Sequence, residues 1–396
     1  IETTNLDEVN RDDDNAFQFS TNFDTEFNKG DKLTAVFQYE KNRENELSKI
    51  ENTNPLRNER VEEFRDEKRV LLQADYVLPF DDSSQLEIGY RGSFLNQETD
   101  FGVFDYEGII RDTLSNVLVY EEKINSAYIQ YGKSIKDFSF LLGMRVEDTE
   151  IIIKQLTTEE RNDQNYTKFF PTLNFSYKFN DSKSVIIGLS RRISRPRARL
   201  LNPFLSRSGI TNFFQGNPNL TPSYSNTVDL GFLRKWDKLT FNSSIYFQKS
   251  SDVVTVFPFD TGQRVSIKSD DDPSQNIVRS VPIIIKSPIN LKENNRIGGE
   301  LTLSYSPTRR SRFFINTNLF NSENIGNYQG VNLDRSNFSW SSKLNAKTTL
   351  PGQIDFQLQS TYFGPRNTSL VSIKSLLFVS GALSKDILKN RGTVSI

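Results

Sequence analysis

Residues 172–180 read TLNFSYKFN, and apolar and polar side chains alternate through the whole stretch. Leu173, Phe175, Tyr177 and Phe179 fall on one side of the chain, and the polar residues fall on the other. A period of two residues places successive side chains on opposite faces of an extended strand. The stretch therefore predicts a β-strand with one face in an apolar medium and the other in water.

The same alternation recurs along the chain, whereas helical periods are hard to find. Residues 137–147 and 353–362 follow it with one exception each, Leu141 and Ser360. We count roughly 16 candidate strands, the last of them cut off at Ile396. Further alternating stretches lie near 17–27, 33–39, 72–78, 86–94, 239–247, 301–305 and 313–319.

The composition excludes several classes of function. The 396 residues include 49 basic and 50 acidic side chains, a balance that gives no electrostatic reason to expect a nucleic-acid partner. Because the chain has no His and no Cys, it has no thiol nucleophile, no imidazole base and no His- or Cys-ligated zinc. Scattered carboxylates could form a hydrolytic pair, but no spacing singles one out. We therefore predict a protein that is not an enzyme and that holds no metal and no cofactor.

The mean hydropathy is low, at −0.54, because apolar residues are interleaved with polar ones. No apolar run approaches the ~18 residues that a membrane helix needs. The first residues, IETTNLDEVNRDDD, are acidic and do not resemble a signal peptide. We expect the chain to be a piece of a longer protein.

The connections between the predicted strands alternate between short and long. In an up-and-down meander, strict alternation places every tight turn at one end and every long loop at the other, as in outer-membrane barrels. The predicted short turns are 28–31, 79–84, 133–136, 180–183, 236–238, 306–311 and 350–353. The predicted long loops lie near 43–66, 98–117, 151–165, 194–222, 258–296 and 323–335.

Two all-β architectures fit a period of two. A soluble sandwich has one face toward solvent and one toward a core, whereas a membrane barrel has one face toward lipid and one toward a wet lumen. The predicted strands are long for a sandwich, and they fit a bilayer crossing of about 9–11 tilted residues with some overhang. We therefore predict an antiparallel up-and-down transmembrane β-barrel.

Residues 190–231 contain a basic segment that is rich in proline. Pro196, Pro203, Pro218 and Pro222 cannot donate to a β-ladder, so we predict a long outer loop here. Its arginines either bind an anionic group of a ligand or pair with nearby Asp and Glu. The candidate ligand contacts at the loop and rim are Arg191, Arg195 and Arg197, with the aromatic residues Phe257 and Phe259. For the two phenylalanines, the alternative to a ligand contact is a packing role.

The run SRRISRPRARLLNPF…FFQGNPNLTPSYSNTVDLGF resembles the signature of TonB-dependent-receptor-type outer-membrane β-barrels, and the strand pattern of the whole chain agrees with this resemblance. Ser223 stands where such proteins often have Glu, and KNRGTVSI at the end is similar to a strand that precedes their last hairpins. Besides Ser190, Arg191 and Arg195, the matching positions of structural importance are Pro196, Asn202, Pro203, Gly216, Asn217, Pro218, Asn219 and Pro222.

The resemblance implies a barrel of about 22 strands, closed by a plug domain that contacts TonB. We expect residues 1–396 to form part of that barrel, without the plug and the terminal strands, and to be unstable in water without detergent. The implied function is uptake of a scarce or bulky solute, of the siderophore, glycan or peptide class. The implied partners are outer-membrane lipid, an unknown solute and the TonB complex in a bacterial outer membrane. A structural or adhesive outer-membrane barrel and a soluble glycan-binding β-protein are the alternatives.

Overall fold

The computed structural model describes most of the chain and consists almost wholly of strands. The described ranges are 6–27, 30–52, 58–207, 212–268, 278–367, 372–387 and 391–396. Their helices are a single turn, α1 (Ala198–Leu201), and a 3-10 turn (Asp112–Leu114). Neither of these is long or apolar enough to cross a bilayer.

Sixteen principal strands follow one another as an antiparallel meander, each paired with the next principal strand along the chain. They are β1 (Leu6–Glu26), β2 (Lys32–Asn52), β3 (Glu59–Asp81), β4 (Ser84–Phe104), β5 (Asn116–Ile135), β6 (Phe138–Gln155), β7 (Glu160–Asn180), β8 (Lys183–Ser194), β11 (Ser223–Lys235), β12 (Leu239–Lys268), β13 (Val278–Thr308), β14 (Ser311–Ile325), β17 (Arg335–Leu350), β18 (Ile354–Phe363), β21 (Leu376–Ile387) and β22 (Gly392–Ser395). The predicted meander and the strand estimate are confirmed.

Six short strands lie in the connections between the principal strands. Between β8 and β11 lie β9 (Leu205–Arg207) and β10 (Asn212–Gln215), which pair with each other and join the main sheet because β10 runs parallel to β13. Small hairpins between later strands are β15 (Asn327–Tyr328) with β16 (Val331–Asn332), and β19 (Arg366–Asn367) with β20 (Ser372–Ile373). No pairing between β1 and β22 joins the ends of the sheet in the described ranges, so the barrel is not closed.

The two faces of the sheet differ as the alternation predicted. On the outer face, Leu230 of β11 and Ile245 of β12 are paired neighbours with exposures of 48% and 64%. On the inner face, Asp229 and Tyr246 are the adjacent pair, and the Tyr246 hydroxyl donates to Oδ1 of Asn318 at 3.0 Å. An exposed band of large apolar side chains suits lipid, and a hydrogen-bonded polar face suits a wet interior.

Tight turns join the principal strands at one rim. β3 and β4 are connected by two residues, Asp82 and Ser83, and β11 and β12 by three, 236–238. The Asp81 carboxylate accepts from the Ser83 backbone N–H at 2.8 Å and from the Ser83 hydroxyl at 2.6 Å, which stabilises the turn. The prediction of short turns at one rim is confirmed.

At the opposite rim, the structure corrects several predicted loops. Strand runs through 43–52 and 59–66, through 151–155 and 160–165, and through much of 258–296. The mixed charges that suggested a loop pair across the ladder instead. Arg43 contacts Asp66 at 3.0 Å, and Arg65 contacts Glu44 at 2.5 Å. Paired backbone groups and opposite cross-strand charges stabilise this two-stranded ribbon, even though its composition is that of a loop.

Candidate functional site

The described parts of the segment 195–222, which are residues 195–207 and 212–222, fold back onto the inner face of the sheet and form a small apolar core there. Leu201 of α1 and Leu220 are completely buried. They pack in one cluster with Leu118 and Tyr120 of β5 and with Ile151 of β6. Burying two leucine side chains stabilises the folded segment by about 3–6 kcal/mol relative to an exposed one. The predicted loop is therefore a packed element of the inner face.

Gly216 lets two parts of this segment approach closely. A Cβ atom here would lie 2.8 Å from the backbone N of Asn202 and from the carbonyl oxygen of Leu200, and closer still to the carbonyl oxygen of Asn202. The next residue, Asn217, donates its backbone N–H to the Leu200 carbonyl at 2.7 Å. Only glycine allows this contact without displacing the backbone.

Asparagine side chains hold the remaining turns of the segment. Oδ1 of Asn202 accepts from Nε2 of Gln155 at 2.9 Å and from the Phe204 N–H at 3.1 Å. Oδ1 of Asn217 accepts from the Asn219 N–H at 3.0 Å, so the asparagines close local turns as their type favours. These contacts give the LNPF and GNPN motifs a structural role.

The same segment is tied to β12 and β13. Nδ2 of Asn217 donates to the Pro288 carbonyl at 3.2 Å. Asn290 accepts from the Thr221 N–H at 2.9 Å, and its Nδ2 donates to the carbonyl oxygens of Thr221 at 3.0 Å and Asp252 at 2.7 Å. The segment therefore crosses the inner face from β5–β6 to β12–β13.

Four prolines of the motif lie along the segment 195–222. Pro196 and Pro222 are buried at the two ends of the segment, next to β8 and β11. Pro203 and Pro218 are partly buried, and their carbonyl oxygens accept from Gln215 at 2.9 Å and Gln164 at 2.8 Å. As predicted for non-donating residues, all four lie outside the strands.

Arg195 is held by an ion pair at the start of the segment. Its Nη2 donates to Oε2 of Glu147 at 2.5 Å and to Oγ1 of Thr149 at 2.9 Å, and its Nε donates to the Tyr166 hydroxyl at 3.1 Å. Glu147 also pairs with Arg145 at 2.9 Å. No local pattern marks Glu147 as the partner of Arg195, because 48 residues separate the two.

Arg195 lies between two cavities on the inner face. The larger, of about 740 Å³, is bounded by β3–β8 and is lined by Arg91, Arg145, Arg191 and Arg192 together with Arg195. The second cavity, of about 410 Å³, lies between residues 194–200 and strands β11–β13, and Arg195, Arg197 and Arg296 line it. Arg191 stacks on the Tyr224 ring at 5.3 Å. The structure thus brings the three candidate arginines of the loop to adjacent cavities.

The structure places the two candidate phenylalanines elsewhere. Phe257 is buried, its ring 4.9 Å from that of Phe259 and 5.3 Å from that of Tyr328. It packs in a second apolar cluster with Ile289 and Leu291 of β13. This geometry is that of the packing alternative, and a ligand contact by these rings stays a prediction.

Solved structures with a similar fold include three proteins named as receptors. The alcaligin receptor FauA from Bordetella pertussis has a TM-score of 0.59 at 14% identity, over 96% of this chain and 58% of that protein. The ferric-catecholate import receptor Fiu from Escherichia coli K12 has a TM-score of 0.65 at 10% identity, over 94% and 58%. The ferric yersiniabactin uptake receptor FyuA from Yersinia pestis has a TM-score of 0.55 at 12% identity, over 89% and 53%.

At these identities the likeness shows the fold, and the chain spans little more than half the length of those receptors. A comparison with curated protein sequences gave no match. The model of one protein family, described as the outer membrane protein beta-barrel family, matches residues 22–396. That family agrees with the prediction of a non-enzymatic protein of the bacterial outer membrane. With nearly all of its length matched, the chain belongs to the outer membrane protein beta-barrel family.

Proposed function

We propose that this chain forms the barrel wall of an outer-membrane receptor that imports a scarce or bulky solute. The observation that carries the proposal is the arrangement of the inner face. A polar wall with two cavities lines the route that a solute would take, and the packed segment 195–222 lies across that route. A purely structural barrel needs no element that crosses its interior. The fold shared with receptors named for alcaligin, ferric catecholates and ferric yersiniabactin supports the same function.

Energy for uptake comes, in this proposal, from the TonB complex acting on a plug domain outside residues 1–396. The chain's own residues provide recognition and passage, and they make or break no covalent bond. The segment 195–222 narrows the route, and the long ribbons of β2–β3 and β12–β13 extend the wall toward arriving solute. The solute is an iron chelate, a glycan or a peptide.

The test uses the full-length protein in cells. The gene is deleted in the source bacterium, and accumulation of labelled ferric chelates, oligosaccharides and peptides is measured. We expect accumulation of one class to fall, to return with the full-length gene, and to fall again when TonB is inactivated. Unchanged accumulation of all three classes would instead support a structural or adhesive barrel.

A further inference from the structure

The second cavity has an unbalanced charge. Arg195, Arg197 and Arg296 line it, and no Asp or Glu is among its lining residues. The wall between the arginines carries hydrogen-bonding side chains, among them Gln248 and Asn294. A concave site of this size with a few convergent polar groups is typical of a small-ligand site.

Two of its arginines have no acidic partner among the described residues. Arg195 is neutralised by Glu147. In the part of the chain that the structure describes, neither Arg197 nor Arg296 has a carboxylate within 4.0 Å. Two guanidinium charges that share one cavity repel each other, and an anion between them would remove that repulsion.

Arg296 is in addition fixed in its orientation. Its guanidinium stacks on the Phe320 ring at 4.8 Å, and its Nε is buried with no hydrogen-bond acceptor among the described residues. A planar guanidinium that packing holds in place binds a carboxylate or phosphate through two parallel hydrogen bonds and loses little entropy. Arg197, by contrast, is exposed at the mouth of the cavity.

We propose that the second cavity binds a carboxylate or phosphate group of the solute, with Arg296 as the fixed contact and Arg197 as the contact at the mouth. Asn294 and Gln248 supply neutral donors beside them. The assignment of this anion to the imported solute rests on the proposed function, whereas the anion site itself rests on the cavity alone.

The test measures anion binding to the purified full-length protein in detergent. Citrate and inorganic phosphate are titrated by calorimetry at low ionic strength, where charge interactions are least screened. We expect both probes to bind the wild type and Arg296→Gln to raise both Kd values at least tenfold. Arg197→Gln, at an exposed position, is expected to raise them about threefold and tests the site even if Arg296→Gln fails to insert. Heat-modifiable gel migration reports insertion.

The matched control is Arg234→Gln, which removes the same charge where the guanidinium stacks on Trp236 near the short-turn rim. Its Kd values should stay within twofold of the wild type. Absence of binding to the wild type, or an equal loss in the control, overturns the anion site. Anion binding without cellular uptake of any solute would refute the proposed function alone, and uptake without anion binding would refute this inference alone.

Discussion

Two connections that look alike in sequence adopt different structures. Residues 195–222 and 258–296 are both rich in polar residues and proline, yet the first is a packed segment on the inner face and the second is mostly a two-stranded ribbon. The ribbon tolerates Pro258, Pro282 and Pro288, which lie opposite Lys286, Arg264 and Val256 in the β12–β13 ladder. Beyond Ser251, β12 pairs only with β13, so Pro258 lies in a strand with one free edge, where backbone donors need no partner. Pro282 and Pro288 lie on either side of residues 284–286, where β10 pairs with the other edge of β13.

The difference lies in where each connection buries its apolar side chains. The segment 195–222 has two leucines whose partners, on β5 and β6, are far away in sequence. The ribbon contains the mostly apolar stretch VVTVF at 253–257, whose phenylalanine packs against the facing strand. Proline alone therefore does not decide between loop and ribbon. The position of the apolar residues and the availability of a partner decide it.

Truncation of Leu220, which anchors the segment 195–222 in its apolar core, should reduce stability the most. Leu220→Ala leaves a cavity in a completely buried site, and we expect a loss of about 3 kcal/mol in the stability of segment 195–222. Hydrogen exchange measured by mass spectrometry should show faster exchange in 195–222 and unchanged exchange in β12–β13. Leu230→Ala on the outer face is the control. Equal protection of the segment in both variants would contradict the packed structure.

A side chain added at the close approach of Gly216 should give the next largest loss of stability. Gly216→Ala pushes a Cβ into the backbone of Asn202 and Leu200, which we expect to cost about 2 kcal/mol. Proteolysis of the full-length protein should cut the segment faster. At Gly231 an added Cβ meets nothing nearer than 3.8 Å, so Gly231→Ala should be cut at the wild-type rate. Identical rates for the two variants would mean that the contact at Gly216 is absent.

The buried ion pair gives a smaller effect. Glu147→Gln leaves Arg195 in a largely buried site without its anion, and we expect the segment to lose about 1.5 kcal/mol of stability. The exposed pair Lys123–Glu150 provides the control, since Glu150→Gln should cost less than about 1 kcal/mol. Hydrogen exchange in 195–222, measured at increasing urea concentration, compares the two variants. A greater loss in Glu150→Gln would refute the anchoring role of Glu147.

The ribbon β2–β3 gives the smallest effect, which depends on pH. Partial burial, with Glu63, Asp12 and Glu44 nearby, raises the pKa of Glu46 above its ordinary 4.5. A carboxyl with a raised folded pKa destabilises the fold when ionised, so the ribbon should gain stability as the pH falls through that raised pKa toward 4.5. Glu46→Gln should remove this dependence and add a few tenths of a kcal/mol at neutral pH. If the exchange rates in 43–52 depend on pH equally in Glu46→Gln and in the wild type, Glu46 is not the source of the pH dependence.

The sequence predicted the parts of this fold that local patterns determine. Alternation in stretches such as 172–180 predicted the strands and their two faces, and short connections such as 79–84 predicted the tight rim. The limits of the outer ribbons were missed, because cross-strand charge pairs such as Arg65 with Glu44 join residues 21 apart. The inward fold of 195–222 was missed for the same reason. Its partners Leu118 and Ile151 carry no local mark that they meet Leu201.

The site was predicted only in part. Arg191, Arg195 and Arg197 stand out as a basic cluster, and the structure brings them to neighbouring cavities. Arg296 does not stand out, because one arginine on the polar face of a long strand looks like any other residue in contact with water. Its stacking on Phe320, in the next strand, is visible only in three dimensions.

The bonds of Asn290 to Thr221 and to Asp252 have a mechanical consequence. They hold one end of the segment 195–222 on the neighbouring strands β12 and β13, while Leu201 and Leu220 hold it on β5 and β6, so the segment links two distant parts of the sheet. Any movement of β5–β6 away from β12–β13 would therefore have to break these contacts as well as the ladder between neighbouring strands.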